Sequence, residues 1–443
     1  MRSELLNTEP APPTVSAGNR SKRMVLLVAF LGWLFAGVQM SITPLVSQSA
    51  TQDFLRHDQE PTPRVVVTTW FARYNATFLF GAAAGGAIFG WCGDRWGRAK
   101  SLGASICCYS LFSFLAIFAA TPEQFIVMRF LGCLGIGGTW PNAIALAGET
   151  WSAVSRPVLA GVIGTAANVG IVLMGLIACF AKITPDHWRW VMVLGSTSIP
   201  IGLYAWRYLP ESPKWLESRT HSPKQHASPL REILAPPLLF PTLIGIVLGA
   251  IPLFGGWGCT NWLVPWADHV GAKTDPSLKA WTQVYRSFGA SLSSLAGGWL
   301  SARIGVRTSY VLYSLSSLCI GQYIYRSLDP LHPQFGFWVF MLGTTSGFYF
   351  GWLPLCLPEF FPTHVRSTGA GVTFNTGRIL TGLGVLGAGY LSSLAFFGGD
   401  YAKIGSVTSL VFGLGIVFVW FAPRVGLDAA NATKRVPQSA EKV

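Results

Sequence analysis

Runs of roughly 20 apolar residues, broken by short polar connections, recur along this chain, and that rhythm leaves few folds open. Of its 443 residues, 51% are hydrophobic and only 12% charged. Soluble domains carry about 25% charged residues. The runs therefore read as membrane helices, and the expected fold is all-α and polytopic with about twelve spans. Helices 1–6 are expected near 24–46, 68–91, 101–120, 124–147, 157–181 and 190–209. Helices 7–12 are expected near 238–266, 280–302, 308–326, 335–357, 367–396 and 404–421.

The formal net charge of +13 is not gathered into a soluble patch that would take nucleic acid. It concentrates in the connections on one side of the expected topology, the asymmetry that keeps basic loops in the cytoplasm. Arg20, Lys22 and Arg23 abut the first span without a cleavable signal, so both termini are expected in the cytoplasm of an inner-membrane protein. The eight cysteines fall in or beside apolar runs, without the paired spacing of a zinc site, and read as small buried side chains. The histidines are scattered in loops, so no metal is expected. No phosphate-binding Walker loop and no polar catalytic cluster is present; enzyme activity, a resident cofactor and ATP-driven pumping are not expected.

Residues 210–237 form the one extended polar connection inside the membrane region, beginning PESPKWLESR. They divide the chain into a tail (1–23), a six-helix bundle (24–209), a linker (210–237), a second bundle (238–422) and a polar tail (423–443). An internal repeat supports the division. Glu149 and Arg156 have six residues between them, as do Glu359 and Arg366, and the second pair lies 210 residues after the first. Residues 90–102, GWCGDRWGRAKSL, form a polar turn between helices 2 and 3, and a worn copy begins 208 residues later as GWLSARIGVR. In the first copy Gly90, Gly93 and Gly97 allow a sharp bend, and Asp94 lies just ahead of the next helix, where its charge suits the positive end of the dipole.

This turn resembles the loop between helices 2 and 3 of the major facilitator superfamily, roughly G-x-L-a-D-R-x-G-R-K-x-x-L. Gly90, Asp94, Arg95, Gly97, Arg98 and Leu102 match; Ala99 takes the usual Lys slot and Lys100 follows one later. PESPKWL and the two Glu-x6-Arg pairs resemble the sugar-porter and metabolite–proton symporter branches, and EFFPTHVRSTGAG is closer to the organic-acid and sialic-acid symporters. The resemblance implies two parallel six-helix halves with a binding site between them at the midplane. It also implies a gate on the cytoplasmic side. There Gly90, Asp94, Arg95, Gly97, Arg98, Glu149, Arg156, Glu359 and Arg366 would fasten the halves when the carrier faces outward. Partly exposed ion pairs, each worth at most about 1 kcal/mol, suit a latch that has to open.

Arg73, Arg129, Arg286 and Arg378 lie inside expected spans, where each charge costs about 2.5–3.5 kcal/mol at mid-helix. Arg378 lies too deep to reach water easily; the other three sit nearer the external ends and could snorkel, which is the plainer reading for Arg73 and Arg286. The expected spans hold no Asp or Glu deep inside them, so an anionic visitor is inferred, a carboxylate held by Arg378, Arg286 or both. Gln39, Asn261, Tyr285, Trp352 and Asn375 are the amides and aromatics expected to line the site; Trp and Tyr also mark membrane interfaces. Arg129 matches the helix 4 arginine that the resemblance links to proton coupling, with Arg73 a second coupling candidate. Yet Ala36 and Gln39 stand where related symporters have helix 1 acids, and an amide cannot titrate, so the coupling ion is left open.

The sequence thus leads to a monomeric secondary transporter working by alternating access. Its expected cargo is a small organic acid anion, sialic-acid-like or aromatic, moving inward with or without protons; the lipid bilayer is its other partner. A neutral sugar facilitator or drug exporter is the alternative within transport, and a non-transporting nutrient sensor the alternative outside it.

Overall fold

The computed structural model describes residues 19–56, 62–151, 156–212, 215–216, 229–362 and 365–423. Among these there are twelve long helical segments and no strand. The first six are α1 (Asn19–Phe54), α2 (Arg64–Trp96), α3 (Arg98–Leu115), α4 (Pro122–Thr150), α5 (Arg156–Phe180) and α6 (Trp190–Ser196 continued by Ile199–Tyr208). After a short helix at Pro229–Ile233 comes α7, which runs Leu239–Phe254, loosens into a π turn over Gly255–Cys259 and a tight turn over Thr260–Trp262, and resumes as Leu263–Gly271. The rest are α8 (Leu278–Ile304), α9 (Val306–Ser327), α10 (Phe335–Cys356), α11 (Arg366–Ser393) and α12 (Tyr401–Ser409 continued by Val411–Phe418). Among the described residues, seven helical stretches are long and apolar enough to cross a membrane by length and composition alone.

Local chemistry sets the helix ends. Thr121 accepts a hydrogen bond from the Gln124 amide and Pro122 opens α4, so both the cap and the missing donor suit a first turn. Asp400 caps α12 by accepting from the Ala402 and Lys403 amides. Gly97 (φ 112°) separates α2 from α3, and Gly305 (φ 96°) separates α8 from α9. The two lie 208 residues apart, so the worn copy of the loop keeps its backbone geometry where it has lost its acid.

The same repeat governs packing. In the first bundle α1 packs on α5 and α2 on α4; in the second α7 packs on α11 and α8 on α10. Glycines allow these close approaches. A Cβ on Gly37 would run into the Ala167 carbonyl, and one on Gly85 into that of Leu134. Between bundles, α2 meets α11 and α5 meets α8, two contacts related by the same repeat.

Two expected boundaries moved. The first helix was expected to end near residue 46, but α1 continues to Phe54, with Ser47, Gln48, Ser49 and Thr51 buried. The seventh was expected to end near 266 with no acid inside, but α7 reaches Gly271 and carries Asp268 buried. In both cases polar side chains that read as loop are covered by the opposite bundle or a neighbouring connection.

Candidate functional site

The interface between bundles closes at one end and parts at the other. Near Asp400, Thr68 Oγ1 donates to the Gly399 carbonyl (3.5 Å), Arg64 faces Asp400 (3.8 Å) and lies over the Tyr401 ring (4.9 Å). One level deeper, Asn261 Nδ2 donates to Asn75 Oδ1 (3.0 Å), flanked by the ring pairs Phe71–Trp262 (4.7 Å) and Phe78–Trp257 (4.2 Å). Contact between α2 and α11 continues through Phe80 beside Gly382 to Asn375, whose amide oxygen lies 3.3 Å from where a Cβ on Gly86 would sit. One turn further, a Cβ on Gly90 or on Gly371 would meet nothing within 4 Å. The helices have diverged there, and the space between the bundles opens toward Asp94.

Arg378 sits at that divergence. Its Nη1 donates to Asn375 Oδ1 (3.3 Å) and to the Ala82 carbonyl of α2 (3.4 Å), and its guanidinium lies over the Phe374 ring (4.7 Å). The side chain is half-buried, and among the described residues no carboxylate pairs with it. Two long bonds to neutral acceptors leave most of its five donors free, so it can take a carboxylate edge-on.

A second polar cluster lies beside the asparagine bridge. Arg286 donates to Gln283 Oε1 (3.1 Å) and to Thr260 Oγ1 (3.4 Å), and Thr260 is the neighbour of Asn261. Arg286 Nε, Asn261 Oδ1, Asn75 Nδ2 and Gln283 Nε2 are buried without a hydrogen-bond partner. Unpaired polar atoms of this kind mark a place that water or a ligand completes.

Gln39 and Arg129 are brought together, but inside the first bundle. Arg129 Nη1 donates to Gln39 Oε1 (2.9 Å) and Nη2 to the Gln39 carbonyl (2.9 Å). The Gln39 amide donates in turn to the carbonyls of Gly195 (2.9 Å) and Tyr109 (3.3 Å). Both residues are buried, at 1% and 3% exposure, so Arg129 does not snorkel and Gln39 is not turned into the space between bundles. Three other expected residues lie elsewhere. Trp352 is fully buried and donates to the Val306 carbonyl (2.9 Å). Tyr285 is exposed and stacks on Trp281 (5.8 Å). Arg73 is exposed and covers the Trp70 ring (4.6 Å).

At the Asp94 end, four of the charged residues expected to form a gate find charged partners within their own bundles. Asp94 meets Arg98 (2.6 Å), and Arg95 lies over the Trp91 ring (5.3 Å). Glu359 and Arg366 form a two-pronged pair (3.1 and 3.5 Å). Glu149, in the last turn of α4, has one carboxylate oxygen buried and without a partner among the described residues; the side chain of Arg156 lies outside them. Sequence reasoning missed Glu211. Its carboxylate accepts from the backbone amides of Arg98 (2.8 Å), Ala99 (3.1 Å) and Ser212 (3.0 Å), capping α3, and a Cβ on Gly97 would collide with it. Trp215 adds a bond from its indole N–H to the Asp94 carbonyl (2.9 Å). PESPKWL flagged this segment, but nothing in the sequence said what it would grip.

The family model of the Major Facilitator Superfamily matches residues 25–385, most of the chain. This chain belongs to the Major Facilitator Superfamily. Among its relatives, the cis,cis-muconate transport protein of Acinetobacter baylyi is 22% identical, over 88% of this chain and 92% of that protein. The gallate transporter of Pseudomonas putida is 24% identical, over 84% and 86%. The inward-open structure of the xylose transporter XylE from E. coli superposes with a TM-score of 0.69 at 17% identity, covering 93% of this chain and 99% of that one, a likeness of fold. The protein is thus a multi-pass membrane transporter, a secondary carrier of this superfamily rather than an enzyme.

Proposed function

We propose that this facilitator carries a small organic acid anion, aromatic or sialic-acid-like, inward across the inner membrane. The observation that carries the reading is Arg378, charged and half-buried where α2 and α11 part, and held only by neutral acceptors. Leaving a guanidinium in that position is costly unless an anion visits it, and a carboxylate matches its planar fork. Asn375 shares the position, and Arg286 with Asn261 forms the second polar station at the closed end. Relatives whose names specify muconate and gallate support a carboxylate as the class.

In this reading the Asp94 end and both termini face the cytoplasm, and the arrangement is open inward. The halves then rock about the site so that the Asp400 end opens in turn. With Asp94–Arg98 and Glu359–Arg366 closed within their own bundles, the gate residues are free to exchange partners when the bundles approach. The Gln39–Arg129 contact carries no proton, because neither the amide nor the guanidinium titrates in the working range. The gradient of the substrate itself, or of a counter-anion, drives net movement.

Uptake into proteoliposomes, with a panel of aromatic acids, sialic acid and neutral sugars and with or without a pH gradient, tests this. Saturable acid uptake should fall about tenfold to a hundredfold in Arg378→Ala, the equivalent of one charged hydrogen-bonded contact, and recover in part in Arg378→Lys. Saturation by a neutral sugar but by no acid would overturn the reading.

A further inference from the structure

At the closed end lies a buried ion pair that the transport site does not use. Lys279, on the first turn of α8, and Asp268, on the last turns of α7, keep only 4% and 9% of their side chains exposed. The Lys279 ammonium donates to Asp268 Oδ2 (3.1 Å), lies 3.0 Å from Oδ1 and, across the bundle interface, donates to the Ile183 carbonyl (2.9 Å). Ile183 belongs to the connection between α5 and α6 of the first bundle, and its carbonyl also accepts from Ser49 of α1 (3.3 Å).

We infer that Lys279, charged and aimed by Asp268, is the bolt of the outer closure. Within the second bundle the ion pair forms without Ile183, so the bond to that carbonyl serves only the contact between bundles. Two consequences follow. When the Asp400 end opens, the Ile183 carbonyl keeps only Ser49, and the ammonium donor that it held must find water. When it closes, a carbonyl with no helix partner of its own receives a charge-assisted bond in a dry site. Asp268 acts through Lys279 and is a positioning residue; without it the cation would be buried alone, which disfavours closure. The inference rests on the proposed rocking of the two halves and not on the identity of the cargo.

Hydrogen–deuterium exchange of the whole protein in lipid nanodiscs, without substrate, tests it. Lys279→Met should raise exchange at the Asp400 end, around residues 181–188 and 268–278. It should also lower exchange at the Asp94 end, around 90–100, because opening one side closes the other. Each change is expected to be about threefold or more in the opening population, with Lys279→Arg restoring the wild-type pattern. A pair that only stiffened the second bundle would give the first change without the second, and Asp268→Asn combined with Lys279→Met would then return both ends to normal; either result overturns the proposal. Gly389→Trp, which drives a ring against Ala72 at the same end, separates the premises. If the wedge shifts both ends and Lys279→Met shifts neither, the bolt is wrong; if the wedge also fails, the rocking of the halves is wrong.

Discussion

Replacing Gln39 with Leu tests whether the contact between α1 and α4 is a rigid structural joint. The substitution keeps the volume but removes the acceptor of Arg129 Nη1 and the donor to the Gly195 carbonyl. A hydrogen bond to a charged group is worth about 1.5–3 kcal/mol, and a buried carbonyl left bare costs about 1 kcal/mol more. The apolar gain of Leu offsets roughly 1 kcal/mol, leaving a net loss of about 1.5–3 kcal/mol. With an unfolding entropy of about 2.1 cal/mol/K per residue, a chain of this length has about 0.9 kcal/mol/K, so the melting temperature should drop by about 2–3 °C. Thermal unfolding in detergent, run as a double-mutant cycle with Arg129→Leu, measures this. The double variant should recover at least about 1.5 kcal/mol relative to the sum of the singles, since no charge is then left bare. A single variant melting within about 0.5 °C of wild type, or a strictly additive cycle, would refute the reasoning.

Two further outcomes are expected. Gly97→Ala places a Cβ at a positive φ and against Glu211, so it should cost about 1–3 kcal/mol and raise hydrogen exchange in the loop between α2 and α3; an unchanged melting temperature would argue against the cap. Glu359→Gln breaks a pair about one-third exposed on each side, so stability should fall by no more than about 1 kcal/mol, while the transport rate changes if the pair belongs to a gate; a large loss of stability with normal transport would point to a structural role alone.

The twelve spans were legible because hydropathy and span length are properties of each segment by itself. The repeat was legible too, since nearly equal offsets, 210 and 208 residues, link Glu149 to Glu359 and Gly97 to Gly305. What escaped was set by partners distant in sequence. Gln39 reads as an amide available to a ligand, but Arg129, 90 residues away, takes it on two atoms. Asp268 and Lys279 read as a polar connection, because their burial rests on pairing with each other and on the contact with Ile183 of the other bundle. Trp352 reads as an aromatic wall, but its indole finds the Val306 carbonyl within its own bundle. Arg378 was the opposite case: its depth in a span marked it, and no distant acid claims it among the described residues.

The grip of Glu211 and Trp215 on the turn between α2 and α3 bears on how motion is passed on. A turn free to flex would absorb any pull from the opposite bundle. Clamped at both its amides and its carbonyl by the segment that follows α6, this one behaves as a solid corner of the first bundle. If the halves rock as proposed, a pull on Asp94 or Arg98 would reach α2, α3 and α6 together, and along α2 the far end where Asn75 meets Asn261. Loosening the clamp should leave both doors intact while uncoupling the movement of one from the other.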